Sequence, residues 1–421
     1  MRSGRGRDRR SRAPGAVRSR VYLHIGEPKT GTTFVQQVMW GNRARLAAQG
    51  VMLPGYSHRD HSRASRDLRE APRAAGDPAG SWAGEWAVLT GQALRAGGAA
   101  VISDEVLAAC NPPQAERGIQ SLMAAEVHVV LTVRDIASLL PAEWQETVKC
   151  GGTVPWEQWL ADVIDSTPAA DRRRRSWFWA MHDTLAILQM WSRHIPPDHV
   201  HVVTMPRQGP AGALWARFAS VLGVDSGSID IPSRRVNCSL GPAETEFWRR
   251  MNEALPDGVP GWFYTRNIKQ ILAQEVLGAR SAQPRLALPP ARQAWAAGQS
   301  ESLVAALRAA KYHIVGDLSD LLPLPASSRY VPPARLPADQ LLTAAVHAAA
   351  ALAGQPYRES RPAGRQPHRP RSVRQRASEL EWAVLNGPWT RRVLRDASHL
   401  APVRRVRVLI WRVLMRPARH Q

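Results

Sequence analysis

The chain has 421 residues, a length that supports one large core with further segments at its ends. Its formal net charge of +21 is concentrated at those ends: residues 1–20 hold eight arginines and one aspartate, and residues 355–421 hold sixteen arginines and four acids. Because the body between them is almost neutral, the composition argues against a protein that binds nucleic acid specifically. The three cysteines lie far apart, so neither a disulfide framework nor a cysteine zinc site is expected.

No apolar segment of the sequence has the length that export or membrane insertion requires. The first apolar run, residues 21–25, is too short for the core of a signal peptide. No stretch reaches the roughly 20 apolar residues of a membrane-spanning helix. The sequence therefore predicts a cytoplasmic location.

Composition divides the chain into three predicted parts. Residues 1–19 are mostly Arg, Ser and Gly and are predicted to form a disordered basic arm. Residues 20–353 alternate short apolar runs with helical patterns, which predicts one domain. Residues 354–421 begin with an Arg, Pro and Gln-rich linker. They end in a basic amphipathic segment that is predicted to contact an anionic membrane surface, the alternatives being a docked helix or a solvated tail.

Short, unbroken apolar runs predict buried strands within the domain, at residues 21–25, 99–103, 127–133 and 199–205. Helical spacing of apolar residues predicts the helices, at 32–49, 82–94, 136–149, 155–164, 178–194, 212–222 and 337–353. The polar segment 57–80 is predicted to be a surface loop. This alternation predicts a three-layer α/β fold, with a P-loop-like parallel sheet flanked by helices and helical additions towards the C-terminus.

The most informative segment follows the first predicted strand and reads HIGEPKTGTT from His24 to Thr33. Gly26 and Gly31 permit close backbone approach to a ligand, and the N–H groups of the loop and helix start attract an anion. The spacing of the glycines fits a Walker A loop, but the next residue is Thr32 rather than lysine. The lysine lies inside the loop instead, at Lys29. An ordinary strand-to-helix turn would not require this lysine and both threonines together.

The run Pro-Lys-Thr-Gly-Thr-Thr resembles the 5'-phosphosulfate loop of bacterial sulfotransferases that use 3'-phosphoadenosine-5'-phosphosulfate (PAPS). The resemblance implies PAPS as co-substrate and transfer of its sulfuryl group without a metal. A sulfuryl group carries less negative charge than a phosphoryl group, so one lysine and a backbone cradle can suffice. Lysine is otherwise rare, with only Lys29, Lys149, Lys269 and Lys311 in the chain.

The third predicted strand ends at Arg134-Asp135 and opens a helix. In the family that this chain resembles, an arginine at this place binds the 3'-phosphate of the donor, and a serine eight residues later assists. The arginine is present as Arg134, but the eighth residue is Ala142, and Ser138 is the candidate substitute. The alternative for Arg134 is a surface ion pair with Asp135.

The second predicted strand delivers Ser103, Asp104 and Glu105 to the same edge of the sheet. A carboxylate there can deprotonate an acceptor hydroxyl, with Glu105 the first candidate and Asp104 the second. Helix capping by Ser103, with acids in the first turn, explains the same residue types and can coexist with that role.

A later segment, residues 234–242, resembles the donor-binding loop of bacterial members, and the resemblance as a whole spans residues 21–323. The resemblance and the placement of the residues together predict catalytic roles for Lys29, Glu105 and Asp104, no metal ligand, and donor contacts from Gly26, Lys29, Thr30, Gly31, Thr32, Thr33, Arg134, Ser138, Arg235, Asn237 and Ser239. The expected acceptor is a hydroxyl of a sugar, glycolipid or small metabolite. A P-loop kinase or NTPase and a degenerate, non-catalytic nucleotide-binding protein are the alternatives.

Overall fold

The computed structural model describes residues 19–71, 82–165, 171–210, 212–232, 240–270, 272, 285–325 and 330–353. The predicted C-terminal linker and amphipathic segment, nearly all of the N-terminal arm, and the predicted donor residues Arg235, Asn237 and Ser239 lie outside these residues. No helix in the described part is both long enough and apolar enough to cross a bilayer.

The strands of the described residues form one all-parallel sheet: β1 (Arg20–His24), β2 (Val51–Met52), β3 (Ala99–Ser103), β4 (Glu126–Val133), β5 (Val200–Thr204) and β6 (His313–Val315). The α-helices are α1 (Thr32–Gly41), α2 (Arg43–Ala48), α3 (His58–Leu68), α4 (Glu85–Leu94), α5 (Pro112–Gln120), α6 (Ile136–Lys149), α7 (Trp156–Ile164), α8 (Arg172–Arg175), α9 (Trp177–His182), α10 (Thr184–Trp191), α11 (Ala213–Leu222), α12 (Pro242–Ala254), α13 (Gly261–Phe263), α14 (Gln293–Ala309) and α15 (Ala338–Ala353).

The strand order is β2-β3-β1-β4-β5-β6, which places β1 between β3 and β4. After β1 the chain runs outward to β2, whereas after β4 it runs to β5 on the other side. Connections that leave adjacent strands in opposite directions open a crevice at the carboxyl edge of a parallel sheet, which is where such folds bind ligands. The topology therefore indicates that the segments after β1 and β4 line this crevice.

Side chains of the central strands alternate between two apolar layers, as a sheet covered on both faces requires. Tyr22 and Val130 pack with residues of α1 and α11, while Leu23 and Leu131 pack with residues of α4, α5 and α10. The predicted three-layer α/β fold is confirmed. A separate apolar cluster, built largely from α6, α7, α9 and α12, includes Trp144. Only its residues from α12 onward belong to the helical additions predicted towards the C-terminus.

Two helices that were predicted to be continuous are each divided in the structure at a polar residue. The predicted helix 32–49 is interrupted at Asn42, whose side-chain amide donates to the carbonyls of Val38 (2.9 Å) and Asp230 (2.8 Å). The predicted helix 178–194 is likewise interrupted at Asp183, which caps α10. Hydrogen bonds from such side chains to the backbone compete with the backbone hydrogen bonds of a continuous helix.

The prediction of a loop from residue 57 to residue 80 is wrong over α3. Ser57 and Asp60 form a capping box that starts this helix. Its buried face includes His61, Ala64 and Ser65, which are polar or small, so the apolar periodicity that signals a helix is weak.

Candidate functional site

Three strand ends meet at the carboxyl edge of the sheet. The loop after β1 continues to pair with β4, since Glu27 N–H donates to the Thr132 carbonyl (2.9 Å) and Thr132 N–H donates to the Gly26 carbonyl (2.7 Å). On the other side of β1, Asp104 N–H donates to the His24 carbonyl (3.1 Å). The fold thus brings the segments with Lys29, Glu105 and Arg134 to one crevice.

The loop presents a row of N–H groups without acceptors. Lys29 and Gly31 have φ values of 61° and 91°, and α1 begins at Thr32 without a side-chain cap. Within the described residues, none of the N–H groups from residue 29 to residue 34 has a hydrogen-bond acceptor. Successive unpaired N–H groups at a helix start form a concave site for an anion.

Glycine is strongly favoured at both predicted glycine positions of the loop. A Cβ on Gly31 would lie 2.3 Å from Cδ2 of Leu214, and its positive φ disfavours any other residue. Gly26 has a φ of 123°, and a Cβ there would lie 3.2 Å from the Glu105 carbonyl oxygen. The two glycines therefore shape the loop, as the sequence pattern indicates.

The three threonines of the loop have different environments. The buried Thr30 hydroxyl donates to the Glu27 carbonyl (2.5 Å) and lies 2.5 Å from the Thr132 hydroxyl, so it stabilises the loop from within. Only the N–H of Thr30 remains for a ligand. The Thr32 hydroxyl donates to Glu105 Oε2 at 2.5 Å. The half-buried Thr33 hydroxyl has no partner among the residues that the structure describes.

Lys29 forms an ion pair that sequence reasoning did not predict. Its Nζ donates to Glu146 Oε2 (2.8 Å), and Lys269 Nζ donates to Glu146 Oε1 (2.7 Å). Burial alone would raise the pKa of Glu146, but the two lysine charges outweigh it and hold that pKa well below its usual range. Burial lowers the pKa of Lys149, and the charges of Lys29 and Lys269 lower it further. Two of the four lysines of the chain therefore contact this carboxylate beside the loop, and the charge of Glu146 also acts on a third, Lys149.

Beneath the loop, Glu27 is buried against His182. The His182 ring lies between two carboxylates, with Nδ1 3.7 Å from Glu27 Oε2 and Nε2 3.6 Å from Glu143 Oε2. Burial alone would lower the pKa of His182, yet the two acids outweigh it and raise that pKa. The Thr184 hydroxyl donates to Glu27 Oε1 (2.5 Å), so α9 and α10 both support the loop.

Arg134 lies against the loop from the neighbouring strand. Its Nη1 donates to the Lys29 carbonyl (3.3 Å), and burial, together with the charge of Arg285, lowers the pKa of its guanidinium. The alternative of a surface ion pair is not observed between these two described residues, because Asp135 instead accepts from Ser138 N–H (2.8 Å) and caps α6. Ser138 makes no described contact with Arg134.

The two candidate bases follow β3. Asp104 is buried and accepts from Val106 N–H (2.9 Å), so it caps a short 3-10 turn, a role that the sequence suggested for Ser103. Burial, with a contribution from the charge of Glu105, raises the pKa of Asp104 to about 6. The Ser103 hydroxyl instead bonds with His24 Nδ1 (2.8 Å). Glu105 is half-buried and is the more accessible of the two carboxylates.

Comparisons with protein-family models, with curated proteins and with solved structures were made for the whole chain. None of them gave a match. The assignment of a function therefore depends on the residues of the crevice and on the resemblance of the loop.

The structure adds residues to the crevice that the sequence analysis did not single out. Glu146 and Lys269 extend the charged cluster around Lys29, and the charge of Arg285 acts on Arg134. The scarcity of lysine was the available signal for Lys269, and Glu146 carried no signal of its own. Arg285 carried no such signal, because arginine is abundant throughout the chain.

Proposed function

We propose that this protein is a sulfotransferase that transfers the sulfuryl group of PAPS to a hydroxyl of a sugar, glycolipid or small metabolite, in the cytoplasm. The observation that carries the proposal is the arrangement of two cations around unpaired N–H groups: Lys29 lies within the loop after β1, and Arg134 contacts that loop from the end of β4. A donor with phosphates at two positions needs two separate anion sites at such a crevice.

Each residue has a role in this proposal. The N–H groups of residues 29–34 and the Thr33 hydroxyl hold the 5'-phosphosulfate, and Lys29 stabilises the charge that develops on the bridging oxygen. Arg134 binds the 3'-phosphate, with Arg285 as a second cation near it. Ala142 lies where the family has a serine that assists in binding the 3'-phosphate. We keep Ser138 as the candidate that takes over this role.

In the proposed reaction, the acceptor oxygen forms a bond to sulfur while the bond from sulfur to the 5'-phosphate oxygen breaks. The proton of the acceptor hydroxyl passes to Glu105, and 3'-phosphoadenosine 5'-phosphate leaves. Thr32 donates a hydrogen bond to the Glu105 carboxylate and so orients it. Asp104 is a weaker candidate for the base because its carboxylate is buried and used as a cap.

A P-loop kinase or NTPase is the second candidate, and one contact favours it. The Thr32 hydroxyl and the Glu105 carboxylate, 2.5 Å apart, lie at the helix start and at the end of a neighbouring strand. P-loop NTPases hold Mg²⁺ with a hydroxyl and a carboxylate from such positions. The absence of a lysine directly after Gly31 argues against this candidate.

The test measures turnover of PAPS and of Mg-ATP by the full-length protein. We expect release of 3'-phosphoadenosine 5'-phosphate from PAPS in the presence of hydroxyl acceptors, and a decrease of at least tenfold in Glu105→Gln, with a smaller decrease in Asp104→Asn. Hydrolysis of Mg-ATP without any turnover of PAPS would instead support the kinase or NTPase.

A further inference from the structure

Four of the thirteen histidines lie together at the opposite edge of the sheet, near the starts of β4, β5 and β6. His128 belongs to β4, His201 to β5 and His313 to β6, and His199 ends the 3-10 turn Pro197–His199 just before β5. Glu126, the first residue of β4, completes the group. No residue of the proposed transfer reaction belongs to it.

Three ligand atoms converge in this group. His128 Nε2 lies 2.8 Å from Glu126 Oε1, and His199 Nε2 lies 3.9 Å from the same oxygen. One ligand atom from each of the three residues lies within 4.8 Å of the others. Ligand atoms around a tetrahedral zinc ion are about 3.3 Å apart, given bonds of roughly 2.0–2.1 Å. The rings of His128 and His199 stack with their centroids 4.3 Å apart, so the partly exposed His199 ring has to turn for its Nε2 to reach the same ion as the other two ligand atoms.

The neighbouring imidazoles supply the hydrogen bonds that metal-binding histidines require. His128 Nδ1 lies 2.9 Å from His201 Nε2, and His201 Nδ1 lies 2.8 Å from His313 Nδ1. Without a metal, the Glu126 carboxylate can only accept a hydrogen bond, so His128 Nε2 carries the proton. His128 Nδ1 then accepts from His201, and His201 Nδ1 accepts from His313. If His128 Nε2 binds a metal, its proton moves to Nδ1, which then donates to His201. A metal-bound histidine with such an acceptor behind it has a fixed orientation.

We propose that Glu126, His128 and His199 bind a divalent first-row transition metal ion, of the zinc type, with a position left open for water. Two imidazole nitrogens and one carboxylate oxygen form a ligand set that such ions favour. The side chains of His199 and Glu126 are 27% and 39% exposed, so an ion can reach them from solvent. The charge of Arg20, which also acts on Glu126, competes with the ion.

The position of the site separates it from the proposed transfer reaction. Six residues of extended chain separate His128 from Arg134, which corresponds to about 20 Å. The metal is therefore too far from the loop after β1 to take part in transfer. It links the start of β4 to the turn before β5 and stabilises the folded state as any ligand of the folded state does.

The test measures binding of Zn²⁺ by calorimetry to the full-length, chelator-treated protein, and the visible spectrum of the Co²⁺ form. We expect one site with the intense absorption of tetrahedral Co²⁺, and a rise of about 5 °C in the midpoint of thermal unfolding at a hundredfold excess of Zn²⁺ over its Kd. His199→Ala and Glu126→Gln should weaken binding at least tenfold, and Arg20→Gln should strengthen it.

His194→Ala is the matched control, because His194 is exposed and pairs with the single carboxylate of Glu116 (3.0 Å). Its affinity for Zn²⁺ should equal that of the wild type. The metal-free thermal unfolding of each variant reports whether it folds, and His199 and Glu126 are chosen because both are partly exposed. Wild-type affinity in folded His199→Ala and Glu126→Gln, or no saturable site in the wild type, would overturn the proposal.

Discussion

The ammonium group of Lys29 lies 2.8 Å from the carboxylate of Glu146, which holds the loop lysine against α6. Lys269 contacts the other oxygen of the same carboxylate at 2.7 Å. In the proposed reaction, Lys29 leaves this ion pair for the donor, while Lys269 continues to neutralise Glu146. The pair therefore determines where the lysine of the loop lies before a donor binds.

The lowered pKa of Glu146 predicts a specific dependence of stability on pH. A carboxylate whose pKa is lower in the folded state contributes stability above its unfolded-state pKa, near 4.3, and this contribution decreases as pH falls through the folded-state pKa. Between pH 6 and pH 3 the wild type should therefore lose more stability than Glu146→Gln, as measured by urea unfolding at each pH. Glu301→Gln, at an exposed position on α14, is the control and should follow the wild type. Equal losses in the wild type and Glu146→Gln would contradict the assignment.

Gly31→Ala should destabilise the protein and remove the anion site. The new Cβ would lie 2.3 Å from Leu214, at a φ of 91°. The combined effects of overpacking and left-handed backbone should reduce the free energy of unfolding by about 2–4 kcal/mol. Denaturant unfolding measures this quantity.

Gly223→Ala provides the matched control for Gly31→Ala. Gly223 also has a positive φ, 68°, but a Cβ there meets no atom within 4 Å. Only the backbone cost, about 1 kcal/mol, should appear. If the two variants lost equal stability, the close approach of Leu214 to the loop would have no energetic importance.

Arg134→Ala should remove the preference for a 3'-phosphate. Loss of a hydrogen-bonded charge costs about 1.5–3 kcal/mol, or roughly ten- to 150-fold in Kd. Calorimetry with 3'-phosphoadenosine 5'-phosphate and with adenosine 5'-phosphate measures the ratio of the two affinities. We expect the ratio to fall towards one in Arg134→Ala and to remain partly intact in Arg134→Lys. An unchanged ratio would place the 3'-phosphate elsewhere.

His182→Gln should destabilise the loop from beneath, because it leaves Glu27 and Glu143 buried without their cation. Removing one partner of a buried ion pair costs about 3–5 kcal/mol. Since the pKa of His182 is raised in the folded state, its contribution is complete below about pH 6.5 and is lost as pH rises through the folded-state pKa. The difference in unfolding free energy between wild type and variant should therefore be larger at pH 6 than at pH 9. A constant difference would show that His182 acts only through packing.

Much of the sheet could be predicted from sequence because its longer strands are predominantly apolar runs. β3 has the predicted bounds, and the predicted bounds of β1, β4 and β5 differ by one residue at each end at most. The short strands β2 and β6, with two and three residues, carried no signal of that kind. Helix α3 was missed because Leu68 is the one large apolar side chain on its buried face, beside His61, Ala64 and Ser65.

The loop after β1 could be predicted because its glycines, lysine and threonines are local in sequence. Contacts between segments that are distant in sequence could not be predicted. Glu146 is 117 residues from Lys29, and their pairing depends on how α6 packs beside the loop. The histidine group is similarly dispersed, since 112 residues separate His201 from His313, and the parallel register of β5 and β6 aligns them. No spacing rule in the sequence anticipates either arrangement.

The most direct test of the proposed function is thermal unfolding with 3'-phosphoadenosine 5'-phosphate or Mg-ATP, in the wild type, Lys29→Ala and the control Arg308→Ala, whose arginine is exposed on α14. We expect the bisphosphate to raise the unfolding midpoint of the wild type and of Arg308→Ala, to raise that of Lys29→Ala much less, and Mg-ATP to have no effect. No shift of the wild type with the bisphosphate, or a shift with Mg-ATP alone, would contradict the proposal that this crevice binds a sulfuryl donor.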